Sequence, residues 1–106
     1  MTDRVELHLC PRFERTFLLL GKRWNGLIIR VLLDGKGRFS EIEQVLSGIS
    51  GRMLSERLRE LEHEDIVQRE VFAEIPVRIE YSLTEKGKEL ASALDPIQNW
   101  AEKWLE

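Results

Sequence analysis

The sequence holds a single cysteine, Cys10, among its 106 residues. No disulfide can close within the chain, and no cysteine-rich metal site can form. Histidine is nearly as scarce: His8 and His63 share no ligand spacing and no nucleophile partner. His63 lies beside Glu62, Glu64 and Asp65 and reads as the solvated end of a helix rather than a metal site. No glycine-rich phosphate loop is present, because Gly35 and Gly37 fall in a turn between helical segments. A thiol enzyme built on Cys10 would need a base held beside it, and none is identifiable. The expectation is a protein that is not an enzyme and that uses neither metal nor cofactor. No apolar run approaches the ~18 residues of a membrane helix, and no charged, apolar and cleavage regions follow one another as in a signal peptide. A cytoplasmic protein with no membrane role is expected.

Against these absences stand three tryptophans, four phenylalanines and many Leu, Ile and Val. They suffice for one core, so residues 1–106 are read as a single domain. A chain this small buries only about two-thirds of its unfolded surface, and some of the apolar residues are surplus to one core. The charged fraction is 33% and mixed in sign, which argues against a disordered chain. Net charge is −3 but unevenly spread. Residues 1–59 carry 11 Lys/Arg against 7 Asp/Glu, and residues 60–106 carry 5 against 12. A positive N-terminal part can offer a local surface to phosphates while the rest stays acidic; an incidental imbalance is the alternative.

Residues 1–9 read as a weakly ordered arm. A first helix starts at Cys10-Pro11, since proline suits the first helical turn. Phe13, Phe17 and Leu20 follow at helical spacing, and Gly21 ends it. A second helix covers roughly 23–33 and is expected to bury Trp24, Leu27, Ile28, Val31 and Leu32. The turn Asp34-Gly35-Lys36-Gly37 leads to Ser40-Glu41-Ile42-Glu43, which reads as a capping box. The short helix after it should point Ile42, Val45 and Leu46 inward. Ser47-Gly48 stops that helix, and Ser50 can cap the next one, at about 51–64.

This next helix has two faces. Leu54, Leu58 and Leu61 share one, and Arg52, Ser55, Glu56 and Arg59 share the other. Residues 67–72 and 77–83 read as strands joined by Ala73-Glu74-Ile75-Pro76. In the second, Val77, Ile79, Tyr81 and Leu83 alternate with Arg78, Glu80 and Ser82. Thr84 caps a last helix in which Leu90, Leu94, Ile97, Ala101 and Trp104 form a seam fit for another helix. Pro96 lies within it and predicts a kink or break near Asp95.

The fold class expected is α+β: a mostly helical winged helix-turn-helix, with the helix-turn-helix at 39–64 and a two-stranded wing at 67–83. A helix with leucine on one face and Arg, Ser and Glu on the other fits the major groove. Arginine can reach guanine edges, serine bases or phosphates, and Glu can accept from cytosine. Ser50, Arg52, Ser55, Glu56 and Arg59 are the candidate DNA contacts. Arg78 on the wing is a sixth, meeting a phosphate or the minor groove. On pattern alone, an amphipathic helix with a merely solvated polar face remains open.

From Cys10 to Trp104 the sequence resembles the HxlR family of bacterial winged-helix regulators. The resemblance rests on Cys10-Pro11, LGKRW (20–24), RFSEIEQVLSGIS (38–50), RMLSERLRELE (52–62) and EIPVRIEYSLTEKG (74–87). Residues 50–59 match the family's recognition helix, whereas Trp24 and Thr84–Gly87 are structural matches. LGKRWNGLII (20–29) looks like the YodB-like branch, whose members repress genes for quinone, electrophile and disulfide stress. Gly51 departs from the family's usual helix-favouring polar residue. The lone cysteine rules out, as a pattern for this chain, members that join two different cysteines.

The resemblance implies double-stranded DNA, as a pseudo-palindromic operator, for a partner, and a homodimer made by helices 10–21 and 84–105. Phe13, Phe17, Leu20, Leu94, Ile97, Trp100 and Trp104 are the candidate dimer residues; the alternative is that they fold back on their own core. Cys10 has its own case as a redox sensor. It stands at the positive end of a helix with Arg12 and Arg15 in the next turn, and both favour the thiolate. An oxidant or electrophile is then the expected inducer, acting through a Cys10–Cys10 disulfide across the dimer or through an adduct. A buried, inert cysteine is the contrary reading. With it go two rival functions: a ligand-responsive or constitutive regulator, and a winged-helix module that binds proteins.

Overall fold

The computed structural model describes residues 9–35 and 37–106. Five helices and one hairpin follow in the order α1 (Pro11–Leu20), α2 (Asn25–Leu33), α3 (Phe39–Val45), α4 (Gly51–His63), β1 (Val67–Phe72), β2 (Arg78–Leu83) and α5 (Glu85–Trp104). This is the α+β winged helix expected, and α1 begins at Pro11 with Cys10 as its N-cap. The arm expected at 1–9, Leu9 excepted, and the turn residue Lys36 lie outside the described residues.

The core gathers around α2. Ile28, Ile29, Ile42, Leu54, Leu58, Leu61 and Val67 are all but completely buried. Each such side chain contributes about 1.5–3 kcal/mol relative to exposure. The leucine face of α4 packs inward as its spacing predicts. The α2 face is rotated from the expected one: Leu27 is 48% exposed, whereas Ile29 and the polar Asn25 are fully buried. Buried positions 25, 28, 29 and 32 are spaced i, i+3, i+4, i+7, and the polar member hides the stripe from an apolar count.

The start of α3 is also corrected. Its N-cap is Arg38, and Glu41 rather than Glu43 reaches back to accept from the Arg38 N–H at 3.1 Å. A guanidinium only donates, so this cap is satisfied from one side alone. Ser40 therefore lies inside the helix, drawn there because Phe39 packs against the core. Val45, expected inward, is half exposed, and Ile42 and Leu46 carry the contact instead.

The strands pair antiparallel with Val67 opposite Leu83, Arg69 opposite Tyr81 and Val71 opposite Ile79. Val77, expected in the second strand, stays in the connection. Val67 and Leu83 bury the base of the hairpin, while Val71, Ile75 and Val77 leave its tip exposed. The far edge of β2 is met by the α2–α3 connection, where the Tyr81 N–H donates to the Gly37 carbonyl at 2.6 Å. A side chain at position 37 would bring a Cβ to 3.0 Å from the Tyr81 oxygen, a tight contact that glycine avoids.

Thr84 caps α5: its hydroxyl accepts from the Gly87 N–H at 3.0 Å and donates to the Asp65 carbonyl at 2.6 Å. The break expected near Asp95 does not occur, since α5 runs unbroken through Pro96. Proline costs one backbone bond there, and the carbonyl it leaves belongs to Ser92, an exposed residue that water can serve. Twenty residues at 1.5 Å each make α5 about 30 Å long. Its second half projects: from Asp95 onward only Ala101 is even partly buried. The radius of gyration is 16.7 Å, against about 13 Å for a compact chain of this length.

Candidate nucleic-acid interface

The candidate residues of α4 are set by its cap. Ser50 is extended, and its hydroxyl accepts from the Met53 N–H at 3.0 Å, which starts the helix at Gly51. With Leu54, Leu58 and Leu61 anchored in the core, Arg52, Glu56 and Arg59 stand exposed and Ser55 half exposed. Arg52 and Glu56 pair at 3.4 Å. Arg57, unremarked in the sequence, is largely covered and bonds Glu60 at 3.2 Å on the flank of the helix.

Arg78, a candidate DNA contact, is held within the wing. Its guanidinium lies 3.9 Å from the Phe72 ring centroid, bonds Glu74 at 2.9 Å and also bonds Glu80. The two carboxylates raise its affinity for its proton, and the bond from Arg78 holds Glu74 below the usual carboxylate range. Arg78 is thus neutralised within the wing instead of standing free. The sequence does carry that signal, because Glu74 and Glu80 flank Arg78 at four and two residues. The wing's other arginine, Arg69, is exposed on β1 and shares with Ser55, Arg59, Glu62 and Tyr81 a polar notch of about 270 Å³.

The candidate dimer residues fall into two groups. Leu20 and Leu94 pack against their own core. Phe13, Phe17, Ile97, Trp100 and Trp104 are each more than half exposed. Phe13 and Phe17 meet edge to face with centroids 4.9 Å apart. No residue of α1 is buried. Cys10 is exposed at the start of this helix.

A polar node that the periodicity does not reveal ties α1 to α4. The Nδ2 of buried Asn25 donates to the Leu19 carbonyl at 2.9 Å and to Glu60 Oε1 at 3.2 Å. Lys22 donates to Glu60 Oε2, and Arg15 pairs with Glu64 at 3.2 Å. Burial raises the Glu60 carboxyl, but the bonds from Lys22 and Asn25 and the charges of Lys22 and Arg57 outweigh it, and the net shift is downward. Beside this node a cleft of about 710 Å³ opens between α1 and α5, lined in part by Leu18, Leu19, Leu90, Arg12 and Lys86 and by no aromatic residue. No helix of the described residues is long and apolar enough to cross a membrane.

Comparison with known proteins matches residues 19–106 of the chain to the HxlR-like helix-turn-helix family. The chain is 57% identical over 98 residues to the HTH-type transcriptional regulator YvaP of Bacillus subtilis (strain 168), covering 92% of this chain and 91% of YvaP. It is 52% identical over 98 residues to the HTH-type transcriptional regulator YodB of the same organism, covering 92% and 88% of the two chains. The reduced form of YodB superposes with a TM-score of 0.81 at 52% identity, over 93% of this chain and 97% of that one. YodB has also been solved diamide-treated and quinone-bound. The redox regulator HypR in its oxidised form superposes with a TM-score of 0.84 at 39% identity, over 92% of this chain and 99% of that one. The chain belongs to the HxlR family of helix-turn-helix transcriptional regulators, in its YodB-like branch.

Proposed function

We propose that this regulator is a homodimeric repressor that binds a pseudo-palindromic operator and releases it when Cys10 is oxidised or alkylated. The observation that carries the proposal is the state of α1: its thiol is exposed, no residue of it is buried, and its phenylalanines face outward. A helix so lightly held by its own core can move when its end is modified. Arg15–Glu64 and the Asn25–Glu60–Lys22 node give that movement a route to the recognition helix. The diamide-treated and quinone-bound forms of YodB, and the oxidised form of the redox regulator HypR, support this chemistry.

In the proposed dimer, α1 and the projecting half of α5 cover Phe13, Phe17, Ile97, Trp100 and Trp104, with Leu20 and Leu94 beneath them. Two α4 helices then enter successive major grooves about 34–36 Å apart, with Arg52, Ser55, Glu56 and Arg59 on the face turned to the DNA and Ser50 at the helix start. A disulfide forms when two Cys10 thiolates of one dimer lose two electrons to an oxidant such as diamide, which takes up two protons. A quinone instead accepts the thiolate sulfur at a ring carbon and becomes a hydroquinone thioether.

Intact-mass measurement under non-reducing conditions tests the thiol chemistry. Diamide should give a covalent dimer two hydrogens lighter than two chains, and a quinone one adduct per chain at Cys10. An unmodified thiol under both treatments would contradict the sensor reading. The cleft beside α1 favours a second reading, a regulator that answers a bound ligand; an unmodified Cys10 in a protein that still leaves DNA on induction would select it.

A further inference from the structure

We infer that the notch between α4 and β1 seats a backbone phosphate of the bound duplex between Arg59 of α4 and Arg69 of β1, and that Arg69 is the wing's grip on DNA in place of Arg78. The inference rests on the DNA-binding reading above and assigns a ligand to a place that reading leaves empty. Ser55 and Arg59 come to the notch from α4, and Arg69 and Tyr81 come from the hairpin, where the two residues face each other across the strands. Two arginines, a serine and a tyrosine line about 270 Å³, room for a phosphate and several waters at about 30 Å³ each.

The charges around it single out this pair. Arg52 is paired with Glu56, Arg57 with Glu56 and Glu60, and Arg78 with Glu74 and Glu80. Among the described residues, no carboxylate lies within ion-pair distance of Arg59 or Arg69. Two like charges that share a notch repel each other, and an anion between them relieves the repulsion. The guanidinium fork also matches phosphate oxygens in geometry. Glu62 is the acid of the notch. It disfavours the phosphate and thereby limits sequence-independent affinity. A recognition helix over the bases and a wing arginine on the adjoining backbone would fix the register of the protein on the duplex.

The test is anisotropy of reduced full-length protein on its operator and on an unrelated duplex, between about 50 and 200 mM salt. Arg69→Gln should weaken both complexes by about tenfold, with their ratio kept. The slope of log affinity against log salt should fall by about 0.9, one phosphate contact. Arg78→Gln should leave that slope unchanged, and Glu62→Gln should tighten both complexes. Arg69 is exposed, so its removal leaves the fold intact, which the thermal midpoint checks. Unchanged affinity and slope in Arg69→Gln, while the wild type binds, would overturn the notch alone. A loss confined to the operator would make Arg69 a base reader and overturn the phosphate assignment. A wild type that binds neither duplex would remove the DNA reading itself and the notch with it.

Discussion

At residue 87 a methyl group would stand 2.1 Å from the Ile66 carbonyl oxygen, inside any allowed contact. The same carbonyl accepts the Thr84 N–H at 3.0 Å, so it cannot retreat without opening the junction of wing and α5. Gly87→Ala should therefore destabilise the protein by about 3 kcal/mol, lowering the thermal midpoint by ~10 °C or more at fixed protein concentration. A calorimetric scan showing an unchanged midpoint would mean that the junction is not close-packed. The threonine and glycine of this junction are legible as a cap and a family match. The reason for the glycine is not, because the carbonyl it avoids belongs to another element. Asn25 hides for a related reason. A polar residue within an apolar stripe reads as an interruption, and only the Leu19 carbonyl and Glu60 explain its burial.

Among the elements, α4 is read most fully from sequence. Its leucines recur at helical spacing, and Ser50 announces its start. The α2 stripe is read one step round, towards Leu27, because Asn25 occupies a core position. The α3 start is misread because Ser40 and Glu43 have the right spacing for a box, whereas the helix starts two residues earlier with Glu41 accepting from the Arg38 N–H. For the interface, spacing on a helix identifies Arg52, Ser55, Glu56 and Arg59, whereas a strand arginine such as Arg69 carries no spacing signal. The link between α1 and α4 yields a pH prediction. Glu60 titrates below its ordinary value in the folded protein, so its contribution to stability is present above pH 4.5 and is lost as pH falls through the lowered folded value. Thermal midpoints measured from neutral pH into that acid range should fall for the wild type, and Glu60→Gln should remove part of the fall. Parallel curves for the two proteins would show that the node does not couple to proton uptake.

The whole molecule is extended, 68 × 33 × 24 Å, with tryptophans on the projecting half of α5. Apolar surface of this kind is the surface that the proposed dimer covers, and α1 supplies a second such face. Trp100→Glu places a charge in the proposed interface while touching nothing in the core. It should convert the dimer to monomer by sedimentation while the thermal transition of the wing and core persists. It should also weaken operator binding, because two half-sites held together bind far more tightly than either alone. A wild type that sediments as a monomer at every concentration tested would contradict the dimer.

The proposed switch couples the dimer interface to the Cys10 thiol, and operator binding reads both together. Anisotropy on duplex DNA from the protein's own promoter region is read before and after diamide, for wild type and Cys10→Ser. Tight binding is expected from both reduced proteins, with loss of binding by the oxidised wild type and no change in Cys10→Ser. Equal loss in both proteins, or no loss in either, would contradict a switch at Cys10.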